Sequence, residues 1–168
     1  MNTMIKNFKI PEERLAVLIG RNGGAKRAIQ RKTKTKILVK DEVTVEGDSL
    51  DVLDAGNIIK AIGRGFSPEI AMLLSEEDTT LLIVELPKNE QTLKRLKSRL
   101  IGTNGKSRRN IERLTGTYIS VYGKTVSIIG KYNDVSLAEK AIRKIIEGLS
   151  HRFIYGFLEG KQNEREES

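Results

Sequence analysis

Leu18-Ile19-Gly20-Arg21-Asn22-Gly23 returns 82 positions later as Leu100-Ile101-Gly102-Thr103-Asn104-Gly105. Between Leu18 and Val39, 12 of 22 positions are identical to those from Leu100 to Val121, including Arg27, Ile29, Arg31, Thr33, Thr35 and Ile37. A one-residue slip then lays Val43, Val45 and Gly47 over Val126, Ile128 and Gly130, and Gly65-Phe66-Ser67 over Gly148-Leu149-Ser150. A duplication of this kind constrains the fold more than composition does, because the repeated stretch must be one structural unit made twice. The unit is about eighty residues, with a glycine-flanked basic turn at the same place in each copy.

The 168 residues therefore divide into two small units, each near the size at which a single core is marginal. Apolar residues make up 38% and aromatic residues 5%, so the core has to be aliphatic. No cysteine is present and His151 is the single histidine. This argues against disulfides, thiolate chemistry, Cys/His metal sites and a His-dependent triad. No cofactor and no metal are expected. Runs such as Leu81-Leu82-Ile83-Val84 are too short to span a bilayer. Residues 1–10 lack a secretory pattern, so a cytoplasmic location is expected, nuclear or nucleolar if the source is eukaryotic.

The net charge of +8 is unevenly placed. Residues 1–85 carry 13 basic and 13 acidic side chains, whereas residues 86–168 carry 17 and 9. From Arg14 to Lys40 there are nine basic residues and no acid, and from Lys94 to Arg113 eight basic residues face only Glu112. A single charged run reads most simply as a solvated face. Two runs, each centred on the same glycine turn, point to a polyanionic ligand.

Alternation and stop signals predict a strand over Ile5–Ile10 ended by Pro11, a helix over Glu12–Ile19, the turn, and a helix over Gly24–Thr33. Strands at Ile37–Val39 and Val43–Val45 follow, then a long helix over Asp48–Phe66 with Leu50, Leu53, Ile58, Ile59 and Ile62 as its core stripe. Ser67-Pro68 starts a short helix in a connector over residues 67–79. The second unit predicts a strand over Thr80–Leu86, helices over Thr92–Ile101 and Lys106–Leu114, strands at Tyr118–Tyr122 and Thr125–Ile129, and a long helix over Val135–Leu149. The fold class is α+β: each unit runs β-α-turn-α-β-β-α, with bounds of 1–66 and 80–158. The polar stretch 159–168 is expected to be disordered.

Two glycines three apart between helices form a tight turn that exposes backbone N–H groups, and the dipole of the following helix points at the same spot. Without a Cβ at Gly20, Gly23, Gly102 and Gly105, a sugar-phosphate backbone can approach closely. Arg21, Asn22, Thr103 and Asn104 supply donors at the tip. On a helical wheel Lys26, Arg27, Arg31 and Lys34 fall within about 140° of one another, with Ile29 on a different face. Lys106, Arg108, Arg109 and Arg113 line the corresponding side of the second copy, with Ile111 buried.

Leu-Ile-Gly-x-x-Gly, an isoleucine nine residues after the first glycine and Thr-x-Thr-x-Ile, inside this element order, resemble a type I KH domain. The resemblance covers nearly the whole chain, twice, and implies that each loop clamps about four nucleotides of single-stranded RNA or DNA. Many KH domains place Ile or Leu six residues after the first glycine, in the base groove; Lys26 and Arg108 stand there instead. That departure, the tandem arrangement, and Gly148-Leu149-Ser150-His151 with Tyr155 resemble the archaeal members of the partner-of-Nob-one family of small-subunit ribosome assembly. The resemblance implies the 3′ end region of the small-subunit rRNA precursor as ligand. It also implies the Nob-one endonuclease and the alpha subunit of translation initiation factor two as partners.

Other readings are weaker. Gly105-Lys106-Ser107 suggests a phosphate-binding P-loop, but that motif needs glycine at position 100, which is leucine, and a strand before it. Tyr118 and Tyr122 share a face away from the core, where they could stack on bases or pack against another surface. The carboxylates are scattered, so a binding protein is expected and not an enzyme. A regulator that binds messenger RNA or single-stranded DNA, or the binding subunit of an RNA-processing enzyme, is the alternative.

Overall fold

The computed structural model describes residues 2–167, which form two compact units, one through Thr79 and one from Thr80. The first unit runs β1 (Thr3–Phe8), α1 (Glu12–Ile19), a 3₁₀ turn (Arg21–Gly23), α2 (Gly24–Thr33), β2 (Lys36–Val39), β3 (Val43–Asp48) and α3 (Ser49–Gly63). It closes with α4 (Pro68–Ala71) and a second 3₁₀ turn (Met72–Ser75). The other unit repeats the order as β4 (Thr79–Glu85), α5 (Glu90–Ile101), a 3₁₀ turn (Thr103–Gly105), α6 (Lys106–Thr115), β5 (Tyr118–Tyr122), β6 (Thr125–Lys131) and α7 (Tyr132–Ile146). It ends in α8 (His151–Glu167). The α+β reading with the order β-α-turn-α-β-β-α holds in both.

Each unit has one three-stranded antiparallel sheet, ordered β1-β3-β2 and β4-β6-β5. The third strand is thus central, which is why Val43 and Val45, and Val126 and Ile128, are fully buried. The helices cover one face of each sheet and the core between them is aliphatic, as the composition requires: Leu18, Ile29, Ile37, Ile58, Ile59 and Ile62 in the first unit, Leu100, Ile111, Ile128 and Ile142 in the second.

Ring packing adds one tight point. Phe8 lies against Gly56 on α3, where a Cβ would sit 2.3 Å from the ring's Cζ. Alanine gains up to about 1 kcal/mol in helix propensity over glycine, but overpacking a buried ring costs about 1–3 kcal/mol. Gly56→Ala should therefore lower stability by about 1–2 kcal/mol, read as a shift in urea midpoint.

Three expectations need correction. Leu50 and Leu53 are not core: they are 72% and 45% exposed, and Val52, Ala55 and Gly56 take the buried places instead. The true stripe runs through Val52, Ala55, Ile59 and Ile62, one helical phase away from the leucines. The stretch 159–168 is helical as far as Glu167, the last described residue. Ile154 and Leu158 are fully buried, and Arg165 donates to Asp134 across 2.8 Å, so an anchored first half carries a polar second half. Finally, residues 67–79 fold with the first unit, where Ala71 and Leu74 are buried.

That segment also has a counterpart. Ser67 caps α4 by accepting from Ile70 N–H, and Ser150 accepts from Phe153 N–H at the start of α8. With the one-residue slip, Ala71 falls over Ile154, both fully buried. The duplication thus extends through a Ser-capped helix, short in the first copy and long in the second. Among the described residues no helix is long and apolar enough to cross a membrane, and no group of three or more His, Cys, Asp or Glu could hold a metal ion.

Candidate nucleic-acid interface

The two glycine turns have the same backbone to within a few degrees. Gly20 and Gly102 have φ of 74° and 75° with ψ of −180° and 174°, a region open in practice only to glycine. Asn22 and Asn104, at φ 53° and 55°, are left-handed, which asparagine tolerates better than most residues. Gly23 and Gly105 follow at φ 74°. Helix α1 ends as Gly20 N–H donates to Ala16 O, and α5 ends as Gly102 N–H donates to Ser98 O. Each turn is then closed by a bond of 3.2 Å from the second glycine's N–H to the first glycine's carbonyl.

Arginines hold the turns from behind. Arg27 Nη1 donates to Asn22 O at 2.7 Å, and Arg109 Nη1 donates to Asn104 O at 2.6 Å. A Cβ on Gly23 or Gly105 would lie 2.8 Å from that guanidinium. These two arginines therefore brace the loop while remaining exposed themselves. The N–H of Gly24 and that of Lys106 are taken up within the turns, by Arg21 O and Thr103 O, so what each following helix offers an anion is the positive end of its dipole and the next N–H groups of its first turn.

Of the remaining residues expected at the site, Arg21, Asn22, Thr103 and Asn104 stand exposed at the tips, and Arg31, Lys106 and Arg113 are exposed on α2 and α6. Lys26 is half-buried. Arg108 differs from it: its Nη1 meets Glu112 Oε1 at 2.9 Å, while Glu112 Oε2 accepts Ile119 N–H at 2.8 Å. In the first unit Gln30 accepts Ile37 N–H at 2.8 Å and carries no charge. So the arginine that stands where many KH domains have an apolar residue is oriented by a carboxylate, whereas Lys26 has no such partner.

Two features escaped the sequence reading. One is what the repeated Thr-x-Thr does: Thr33 donates to Ile29 O and shares a 2.8 Å bond with Thr35, and Thr115 and Thr117 repeat this. Their recurrence at identical repeat positions was the available signal. The other is a sign reversal on the first helix. Lys94 and Arg95 occupy the repeat positions of Glu12 and Glu13. Lys94, with Leu93, Lys97, Ile101 and Thr103, lines a groove of about 610 Å³ along α5 beside the second turn. It offers two lysines against one acid, Glu90, and the apolar side chains of Leu93 and Ile101, which suits a strand with charged phosphates and flat bases. The P-loop reading fails here, because a helix and not a strand leads into Gly102.

Comparisons with known proteins agree with this geometry. A family model described as eukaryotic type KH-domain (KH-domain type I), for the second KH domain of PNO1, matches residues 80–163, and a KH-domain model matches residues 5–61. The KH domain-containing protein MJ0443 of Methanocaldococcus jannaschii is 40% identical over 165 residues, 92% of this chain and 73% of that one. The structure of Dim2p from Pyrococcus horikoshii superposes with a TM-score of 0.87 at 41% identity, covering 93% of this chain and 98% of that one. A chain in the a/eIF2alpha–aDim2p–rRNA complex of the same organism superposes at 0.89 with 40% identity, covering 96% of each.

Proposed function

The chain belongs to the KH family as a tandem-KH, PNO1-like protein of the archaeal kind, and from that premise we propose that it is an RNA-binding ribosome-assembly factor. Its ligand is single-stranded RNA from the 3′ end region of the small-subunit rRNA or its precursor. It works by holding that RNA and presenting it, with no catalysis of its own. The observation that carries this reading is the pair of braced turns, each aiming a helix N-terminus and unencumbered tip donors at one spot. The rRNA and a/eIF2alpha named in the complex of the similar Pyrococcus protein support rRNA as ligand and the initiation-factor subunit as partner. The Nob-one endonuclease is the further partner this role requires.

The second unit is the stronger binder. Its groove carries Lys94 and Lys97, where the first unit has Glu12 and Leu15 at the repeat positions. Substituting Arg21 and Asn22 by Asp should accordingly weaken binding far less than the same change in the second loop.

Electrostatics gives a separate check. The logarithm of the affinity for single-stranded rRNA fragments should fall with the logarithm of salt concentration at about −0.7 per phosphate neutralised, measured by fluorescence anisotropy. Binding insensitive to salt would contradict a phosphate clamp. Crosslinking in cells followed by sequencing of the bound RNA tests the ligand itself: enrichment of messenger RNA with no small-subunit rRNA would overturn the reading.

A further inference from the structure

On the α8 side of the second loop lies another cavity, of about 400 Å³, within the ~300–1,000 Å³ of small-molecule sites. It meets the α5 groove at Ser98, Gly102 and Thr103, which line both. Its other walls are Arg99 from α5, Lys106 and Ser107 from the start of α6, and His151 and Tyr155 from the start of α8. Ser107 is 2% exposed and its hydroxyl has no hydrogen-bond partner. The two rings stack, with centroids 5.9 Å apart and planes 14° from parallel. His151 Nε2 lies 2.9 Å from Arg99 O. A carbonyl only accepts, so Nε2 carries the proton and Nδ1 is left as the acceptor of the neutral ring.

We propose that this cavity is a second nucleotide subsite, which takes the base and phosphate next to the stretch held in the α5 groove. The inference rests on the RNA-binding reading above. A strand crossing the loop at Thr103 leaves the α5 groove on one side and meets the ring pair on the other. Aromatic faces stack any base, Nδ1 accepts from a ribose hydroxyl or exocyclic amine, and the Lys106 ammonium, at the positive end of the α6 dipole, receives the phosphate. The subsite belongs to the second unit only: Ala25 stands at the position of Ser107, and Pro68 and Met72 at those of His151 and Tyr155. The RNA footprint of this unit then exceeds the about four nucleotides of one KH groove.

The test compares single-stranded oligouridine probes of about four and about eight nucleotides on the full chain. Tyr155→Leu, which keeps apolar bulk against the core, should lower affinity for the longer probe about tenfold, the scale of one lost base–aromatic stack, and leave the shorter one unchanged. An unchanged affinity for the longer probe overturns the subsite, and so does an equal loss for both, which would make α8 a support for the loop. A photocrosslink from 4-thiouridine at the flanking end of the wild-type complex should land on the peptide containing His151 and Tyr155. Crosslinks confined to α5 and β5 overturn the proposal without any variant. If the wild type binds neither probe, the RNA-binding reading itself fails.

Discussion

Replacing Thr103 and Asn104 by aspartate should lower affinity for single-stranded rRNA fragments at least about 100-fold, a loss of about 2.7 kcal/mol, with the melting temperature unchanged. Both side chains are exposed at the tip of the second loop, so the change adds two negative charges where phosphate has to sit. At an effective dielectric constant of 20, like charges about 4 Å apart repel by about 4 kcal/mol, and lost hydrogen-bond donors add about 1 kcal/mol each. Even after heavy discount for solvent screening, 100-fold is a lower bound. The backbone accepts the change, because aspartate tolerates the left-handed conformation of Asn104 nearly as well as asparagine does. The check pairs anisotropy titration with thermal melting. A folded double variant that binds normally would mean that the loop is not the clamp.

Gly102→Ala should damage the same site through the backbone. At φ 75° and ψ 174° a non-glycine residue costs about 1–3 kcal/mol. In addition, the new Cβ would lie 2.6 Å from Ser107 N and 2.7 Å from Ser107 Cβ. The first of these is backbone at the start of α6 and cannot swing aside, so α6 and the loop have to part. We expect about 3 kcal/mol or more of destabilisation in the second unit, seen as a lower urea midpoint, together with loss of RNA binding. Gly148→Ala provides the contrast: it has positive φ as well, but no atom within 4 Å of an added Cβ. It should cost only the conformational penalty of about 1–2 kcal/mol.

The element order and the two loops were legible because glycine spacing, aliphatic periodicity and the duplication all point the same way. What failed did so for local reasons. Leu50 and Leu53 match a helical period, but Val52 and Ala55 match it too, and a smaller residue was needed where Phe8 meets the helix at Gly56. The stretch after Leu158 is polar enough to be disordered, and only its attachment to Asp134 through Arg165 and to the buried turn before it makes it helix. Among the site residues, charge was readable but duty was not. Arg27 and Arg109 look like phosphate ligands in a row of cations, yet their guanidiniums hold a loop carbonyl. Arg108 looks free, yet Glu112 holds it. A one-dimensional pattern records which charges are near each other along a helix, not which carbonyl or carboxylate each has found.

The arginine brace behind each loop bears on how fast RNA is captured. A loop already fixed in its working shape needs no rearrangement when a strand arrives, so association should run at the rate set by diffusion and attraction between charges. Residence time, and with it the choice between one strand and another, is then decided by what the neighbouring grooves hold after contact, not by the loops.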